Sequence, residues 1–143
     1  MDIAINYVAV VAAAAANMVV GFLWYGPLLG KQWMHEMGFT REKIEGMAAK
    51  GMSVTYTLQA VGALMMAYVL AHVLGISAQA FGSLTTTGAL TGAFWMWLGF
   101  VAPVLLGVVL WEGKSWKLYA IQAGYFLVTL EVMAAVLTLP LWG

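Results

Sequence analysis

The chain has 143 residues, 64% of them apolar and 8% charged, with six cationic residues balanced by six acidic ones and a mean hydropathy of +0.91. That composition belongs to a chain dissolved in lipid, and a net charge of zero without a basic stripe excludes nucleic-acid binding. Cysteine is absent, which excludes disulfides, thiolate metal sites, iron–sulfur clusters and thiol nucleophiles.

A helix needs about 20 apolar residues to cross a hydrocarbon core, and four stretches supply them. The first covers residues 3–29. It opens with Asp2, carries no Lys or Arg ahead of its apolar run, and continues far beyond a short leader core, so it is expected to stay as a helix. Asn6 and Asn17 lie eleven residues apart, about three turns, and share a face with Ala13 and Gly21. That face is expected to meet protein.

Residues 30–52 form a loop with its own pattern. Trp33, Met34 and Met37 recur at helical spacing and Gly38 supplies a stop. Thr40 can cap a second helix with Glu42 in its first turn and Ile44, Met47 and Ala48 on one side. Two amphipathic helices on the inner membrane face are predicted. Met34, His35 and Met37 have the donor chemistry for cuprous copper, but the methionines serve more simply as the apolar side of the helix, and no metal or other cofactor is expected.

The second span covers residues 53–75 and the third residues 84–111. The uncharged break between them rests on Gly75, Ser77, Gln79, Gly82 and Ser83. In the third span Gly88 and Gly92 form a small-xxx-small pair, and Gly99 and Gly107 continue roughly the same face. Pro103 removes a backbone donor and crowds the Gly99 carbonyl, so a tightly packed, kinked helix or hinge is expected. The fourth span covers residues 116–139. The reading is one all-α domain, residues 1–143, of four membrane-spanning helices.

Every Lys and Arg lies in two loops: Lys31, Arg41, Lys43 and Lys50 in the first, Lys114 and Lys117 in the third. The positive-inside rule puts the loops at 30–52 and 112–117 in the cytoplasm and both termini outside a bacterial inner membrane. Trp24, Tyr25, Trp33, Trp111, Trp116 and Tyr119 then form the inner aromatic belt, with Tyr7 and Trp142 at the outer one. A repeat is also visible. Gly30-Lys31-Gln32-Trp33 is echoed by Gly113-Lys114-Ser115-Trp116, and Tyr56-Thr57-Leu58-Gln59-Ala60 by Tyr119-Ala120-Ile121-Gln122-Ala123. Two parallel helical hairpins related by an axis along the membrane normal would produce this pattern, and so would chance recurrence of interfacial anchors.

Three stretches carry a resemblance: Gly21-Phe22-Leu23-Trp24-Tyr25-Gly26-Pro27-Leu28-Leu29-Gly30-Lys31-Gln32-Trp33-Met34, then Gly92 to Pro103 with Trp95 and Gly99-Phe100, and last Glu112-Gly113-Lys114 through Ala123-Gly124-Tyr125. Together they resemble an uncharacterised bacterial membrane family, domain of unknown function 1761, over most of the chain. The resemblance implies a four-helix inner-membrane protein and brings no activity or site residue. In that family Asn and His are frequent where this chain has Gln122 and Phe126, and an acid at position 131 is not typical.

Glu131 is the one acid inside a span. Ionised in lipid it would be very costly, which makes it the candidate proton or cation site. His72, Thr91 and Asn6 lie toward the same outer end and can form a polar cluster with it, His72 as a titrating partner. Asn17, Gln59 and Gln122 fall at similar depths in the inner half and can hydrogen-bond as an inner polar layer. Gln122 and Glu131 are nine residues apart and point in opposite directions, so one of them faces away from a four-helix interior, toward a second subunit of a homo-oligomer. Phosphate loops, paired intramembrane acids and metal-protease histidines are absent, so no enzyme activity is expected. Two functions fit: a homo-oligomeric transporter or channel with a buried acid, or a non-catalytic accessory protein acting on a partner or lipid headgroups through its cytoplasmic loop.

Overall fold

A computed structural model of the chain describes residues 2–142. Its helices in chain order are α1 (Tyr7–Leu23), α2 (Gly30–Met37), α3 (Arg41–Ala49), α4 (Ser53–Phe81), α5 (Thr86–Phe100), α6 (Ala102–Leu105), α7 (Gly107–Leu110) and α8 (Trp116–Leu137). Four stretches are long and apolar enough to cross a membrane: Tyr7–Leu28, Ser53–Phe81, Thr86–Leu110 and Trp116–Leu137.

Local chemistry sets the boundaries. The side chains of Asn6, Thr40, Thr85 and Ser115 accept from backbone N–H groups three residues on and so start α1, α3, α5 and α8. Gly38 and Gly82 adopt left-handed φ of 72° and 81° and stop α2 and α4. The expected end of the second span at Gly75 is corrected: α4 runs on through Ser77 and Gln79 to Phe81, about 43 Å at 1.5 Å per residue. Polar residues did not stop it because Ser77 Oγ donates to the Val73 carbonyl within the helix, and only Gly82 supplies a terminating conformation.

The first span ends in a wide turn over Trp24–Leu28, where Leu29 N–H reaches back five residues to the Trp24 carbonyl at 2.8 Å. Pro27 has no N–H to donate, and Gly26 takes a non-helical conformation. The chain then folds back so closely that a Cβ on Gly30 would stand 2.6 Å from the Tyr25 carbonyl oxygen. Span three is interrupted twice, at Val101 and Leu106. The expected break around Pro103 is present, and Tyr119 Oη donates to the Ala102 carbonyl there at 3.1 Å. A neighbouring helix thus supplies a partner at the interruption, as a break inside lipid demands.

The spans pack in the order α4, α1, α8, α5, with the broadest contact between α1 and α8. Their shared core is largely alanine: Ala13, Ala63, Ala67, Ala89, Ala93 and Ala134 are buried among Leu70, Leu74, Leu130 and Met133. α4 and α5 touch only slightly, which leaves a groove walled by Met65, Met66, Val69, Leu70, Met96 and Leu130. A two-fold axis relating the two hairpins would make the α4–α5 contact match the α1–α8 contact. It does not, so the short sequence repeat does not extend to the packing. Its two tyrosines also differ, Tyr56 being 61% exposed while Tyr119 bonds across to α6.

Hydrogen bonds tie the ends together. Glu36 of α2 meets Ser115 at one end, while Asn6 bonds the Trp142 carbonyl, Gln79 the Asp2 carbonyl and Thr138 the Thr86 hydroxyl at the other. Both loops that carry Lys and Arg are therefore at one end, the charged face, and both termini are at the opposite, terminal face.

The backbone at the wide turn leaves no space for a side chain at position 30. Gly30→Ala should lower stability by roughly 1–3 kcal/mol, the cost of forcing atoms into a packed site. Gly62→Ala, which meets open space in α4, should leave it unchanged. Unfolding midpoints of the two proteins in the same detergent measure the difference.

Candidate functional site

Asn17 is 1% exposed at the centre of the α1–α8 contact. Its Nδ2 points at two thioethers, Met66 Sδ at 3.6 Å and Met133 Sδ at 3.5 Å, and its Oδ1 accepts from Tyr125 Oη at 3.4 Å. Sulfur is a weak acceptor, so this is a soft, nearly dry polar centre. The inner amide layer expected from sequence is corrected here: Gln59 is exposed to lipid and Gln122 is half-buried, and neither bonds Asn17. Tyr125 and the two methionines take the places assigned to those amides. Thr129, one turn beyond Tyr125, is fully buried beside it, and its hydroxyl makes no well-formed hydrogen bond among the described residues.

From Asn17 a run of aromatic rings leads to the charged face. Tyr125 packs on Tyr25 at 5.0 Å between centroids, Tyr25 on Trp33 at 5.2 Å, and Trp33 on Phe39 at 5.3 Å, all edge to face. Lys43 Nζ lies 4.5 Å over the Phe39 ring. Trp24 and Tyr25, expected in an interfacial belt, are turned into the protein instead. Trp24 Nε1 donates to the Ile121 carbonyl at 3.0 Å and its ring lies against Gly124. From the other side Trp97 Nε1 donates to the Ala123 carbonyl at 2.8 Å. Two indoles thus clamp α8 between α1 and α5.

A second contact fastens α2 to α8. Ser115 Oγ donates to Glu36 Oε2 at 2.5 Å and accepts from Leu118 N–H at 3.1 Å, so one hydroxyl both anchors Glu36 and caps α8. The Ser115 hydroxyl holds the Glu36 carboxyl below its usual range, helped by the charges of Lys117 and His35 against the opposing effect of partial burial. His35 Nδ1 is 3.7 Å from Glu36 Oε1. In the sequence Ser115 stands out only within the Gly113-Lys114-Ser115-Trp116 repeat, and Glu36 is not among the expected site residues.

The outer polar cluster is also corrected. Asn6 caps its own helix and bonds Trp142, His72 Nδ1 faces the Tyr68 carbonyl at 2.8 Å, and Thr91 donates to the Thr87 carbonyl. None of these bonds includes Glu131. His72 and Thr91 each meet a carbonyl one turn back, which is nearer than a neighbouring helix. Glu131 is half-buried and has no hydrogen-bond or ion-pair partner among the described residues.

The faces of α8 explain its isolation. Ile121, Tyr125 and Met133 are covered on the α1 side, Ala123, Leu130 and Ala134 toward α5. The uncovered side runs through Lys117, Ala120 and Val128. With 3.6 residues per turn, Glu131 and Ala135 continue that side, on which Gly124 alone is covered, by the Trp24 ring. Glu131 is therefore the member of the Gln122–Glu131 pair that faces outward.

The glycines of span three do not make the close contacts expected of them. A Cβ on Gly88 would meet only its own N-cap Thr85, one on Gly107 only Trp111 one turn on, and one on Gly99 nothing, while Gly92 lies an ordinary 3.8 Å from Leu74. Ala89 and Ala93, a third of a turn round, are the fully buried small residues. Pro103 is exposed at the second helical position of α6, where its missing N–H has no intrahelical partner to lose.

A family model described as "Protein of unknown function (DUF1761)" matches residues 8–138. The chain belongs to that family. No curated protein and no solved structure matches it. The three family-like stretches meet on α8: Trp24 and Tyr25 from the first, Trp97 and Ala102 from the second, and Tyr119, Gly124 and Tyr125 from the third.

Two outcomes follow from this geometry. Thr129→Val keeps the shape and removes an unpaired buried hydroxyl, so the melting midpoint should stay level or rise by the equivalent of about 1 kcal/mol. For Glu36, a depressed pKa means that the carboxylate strengthens the folded state above the ordinary glutamate value of about 4.3. That contribution is lost as pH falls through the lower, folded value. Protection of the α2 amides, taken relative to the intrinsic exchange rate at each pH, should fall only on acidification below about pH 4, and in Glu36→Gln it should not change over that window.

Proposed function

We propose that this chain works as a homo-oligomer that moves a proton or small cation across the membrane, with Glu131 as the titrating group. One observation carries the reading: the only acid within a span lies on the one face of α8 that the chain's own helices leave open. An ionised carboxylate at that depth is very costly, so the group stays neutral, is reached by water, or exchanges a proton with a transported species. Among the described residues the groove between α4 and α5 is walled by apolar side chains and offers no polar path within one chain. A path between subunits, lined by Glu131, fits better. The interruptions at Val101 and Leu106 give span three places to bend. The excess of Lys and Arg at the charged face supports an orientation with residues 30–52 and 112–117 in the cytoplasm and both termini outside a bacterial inner membrane. No enzyme chemistry is part of this reading.

A second reading has one observation in its favour. α3 is exposed throughout, with Ile44 and Met47 uncovered and Arg41 paired only within the helix to Glu45. In that reading the chain is an accessory protein and α3 engages a partner or lipid headgroups.

Reconstitution in liposomes separates the two. Glu131→Gln should abolish proton-linked flux while retaining native helix content and elution volume. Unchanged flux in the variant would remove Glu131 from the mechanism, and absence of flux from the natural chain would leave α3 as the functional element.

A further inference from the structure

Lipid tails are as apolar as leucine, so an apolar helix face gains little by leaving them for another protein. The outward faces of α4 and α5, with Val61, Leu64, Phe94 and Leu98, are of that kind. α8 is different. Its open side, through Lys117, Ala120, Val128, Glu131 and Ala135, carries a carboxyl about 22 Å from the helix start and about 9 Å from its end. A carboxyl there loses its water and finds no partner in hydrocarbon, so this face gains most from a second protein surface.

The chemistry of the partner is constrained by what lies at that depth. No Lys or Arg lies deep within a span, since all six belong to the loops and helix ends of the charged face. Copies inserted with one topology can close into a dimer only about an axis along the membrane normal. Such an axis sets equal positions of the same helix opposite one another at equal depth. A second copy therefore brings to Glu131 the one group that can both donate and accept a hydrogen bond there, another Glu131. Two carboxyls at contact do not both ionise, and one proton is shared between them. Small residues at 120 and 135 let the two α8 backbones approach.

We propose that two copies of this chain associate through the uncovered stripe of α8, so that the two Glu131 carboxyls hydrogen-bond across the dimer axis. The inference rests on the homo-oligomer reading above and supplies its missing half: the titrating site is incomplete in one chain.

The natural chain has no cysteine, so single cysteines report proximity without background. In native membranes Val128→Cys and Ala135→Cys, both with Glu131 intact, should cross-link to dimers with a short bifunctional thiol reagent. Val61→Cys, on the lipid face of α4, should not. Adding Glu131→Leu should reduce the Val128→Cys dimer about five-fold, the equivalent of one interhelical polar contact, whereas Glu131→Gln, whose amides can pair, should retain it. Photobleaching of the fluorescently tagged natural chain should give two steps. Absent dimers at both 128 and 135, equal cross-linking at 61, or no effect of Glu131→Leu would overturn the interface. The outcomes separate from the transport test. Flux lost in Glu131→Gln without cross-linking at 128 sinks the dimer and keeps the titrating acid, while cross-linking with unchanged flux keeps the dimer and removes Glu131 as the titrating group.

Discussion

The contact between α1 and α8 is the constraint from which the rest of the molecule follows. In lipid no hydrophobic force gathers helices, and association depends on close packing and on the few polar groups that can reach one another. Here both are concentrated in one seam. Gly21 leaves space for the Tyr125 hydroxyl and Gly124 for the Trp24 ring, each so close that an added Cβ would lie 3.2 Å from its neighbour. Within that seam Asn17 meets Tyr125, and Trp24 bonds the Ile121 carbonyl. With α8 fixed against α1, Trp97 docks α5 on its far side, and α4 packs on the outer flank of α1.

An arrangement with two inner and two flanking helices has a consequence for chemistry. α1 and α8 spend most of their surface on one another and on their flanks, so the polar groups they bury, Asn17 and Thr129, are enclosed rather than connected to water. The methionines around Asn17 make weak acceptors and adapt their shape to it. The centre is thus suited to hold helices in place and poorly suited to pass an ion. The group with the most reactive character, Glu131, stands on the remaining side of α8. Structural polarity inside and titratable polarity outside is the division of labour that this packing imposes.

Much of this was readable in the sequence. Span number, the two helices at the charged face, the Thr40 cap and the Gly38 stop were all correctly expected, because each rests on local chemistry or on a run of apolar residues. The opposed directions of Gln122 and Glu131 also follow from helical period alone. What failed required knowledge of neighbours. Matching depths put Asn17, Gln59 and Gln122 in one layer, but depth says nothing of azimuth, and Gln59 faces lipid. The glycines of span three looked like a packing stripe, yet the buried stripe runs through Ala89 and Ala93, which are nearly as small and carry no special mark. Trp24 and Tyr25 satisfied the statistics of an interfacial belt, and only the wide turn at Gly26 and Pro27 shows why they face inward. Ser77 and Gln79 looked like a loop because serine and glutamine are polar, although a serine hydroxyl bonded to its own helix continues it without difficulty.

The same turn joins the charged face to the middle of the membrane. Because α2 begins immediately after it, Trp33 comes back onto Tyr25, Tyr25 rests on Tyr125, and Tyr125 holds Asn17. Glu36 fixes the far end of the same short helix to the cap of α8. α2 is therefore held at two points that lead to α8, one through the Tyr25 ring that rests on Tyr125 and one through the carboxylate bonded to the α8 cap. Any displacement of α2 must either release Ser115 or shift Tyr25 against Tyr125, and both act on the helix that carries Glu131. α3 beyond it has no comparable tie among the described residues and joins α4 through Lys50, Gly51 and Met52, so a load applied to α3 reaches the spans through α4 as well as through α2.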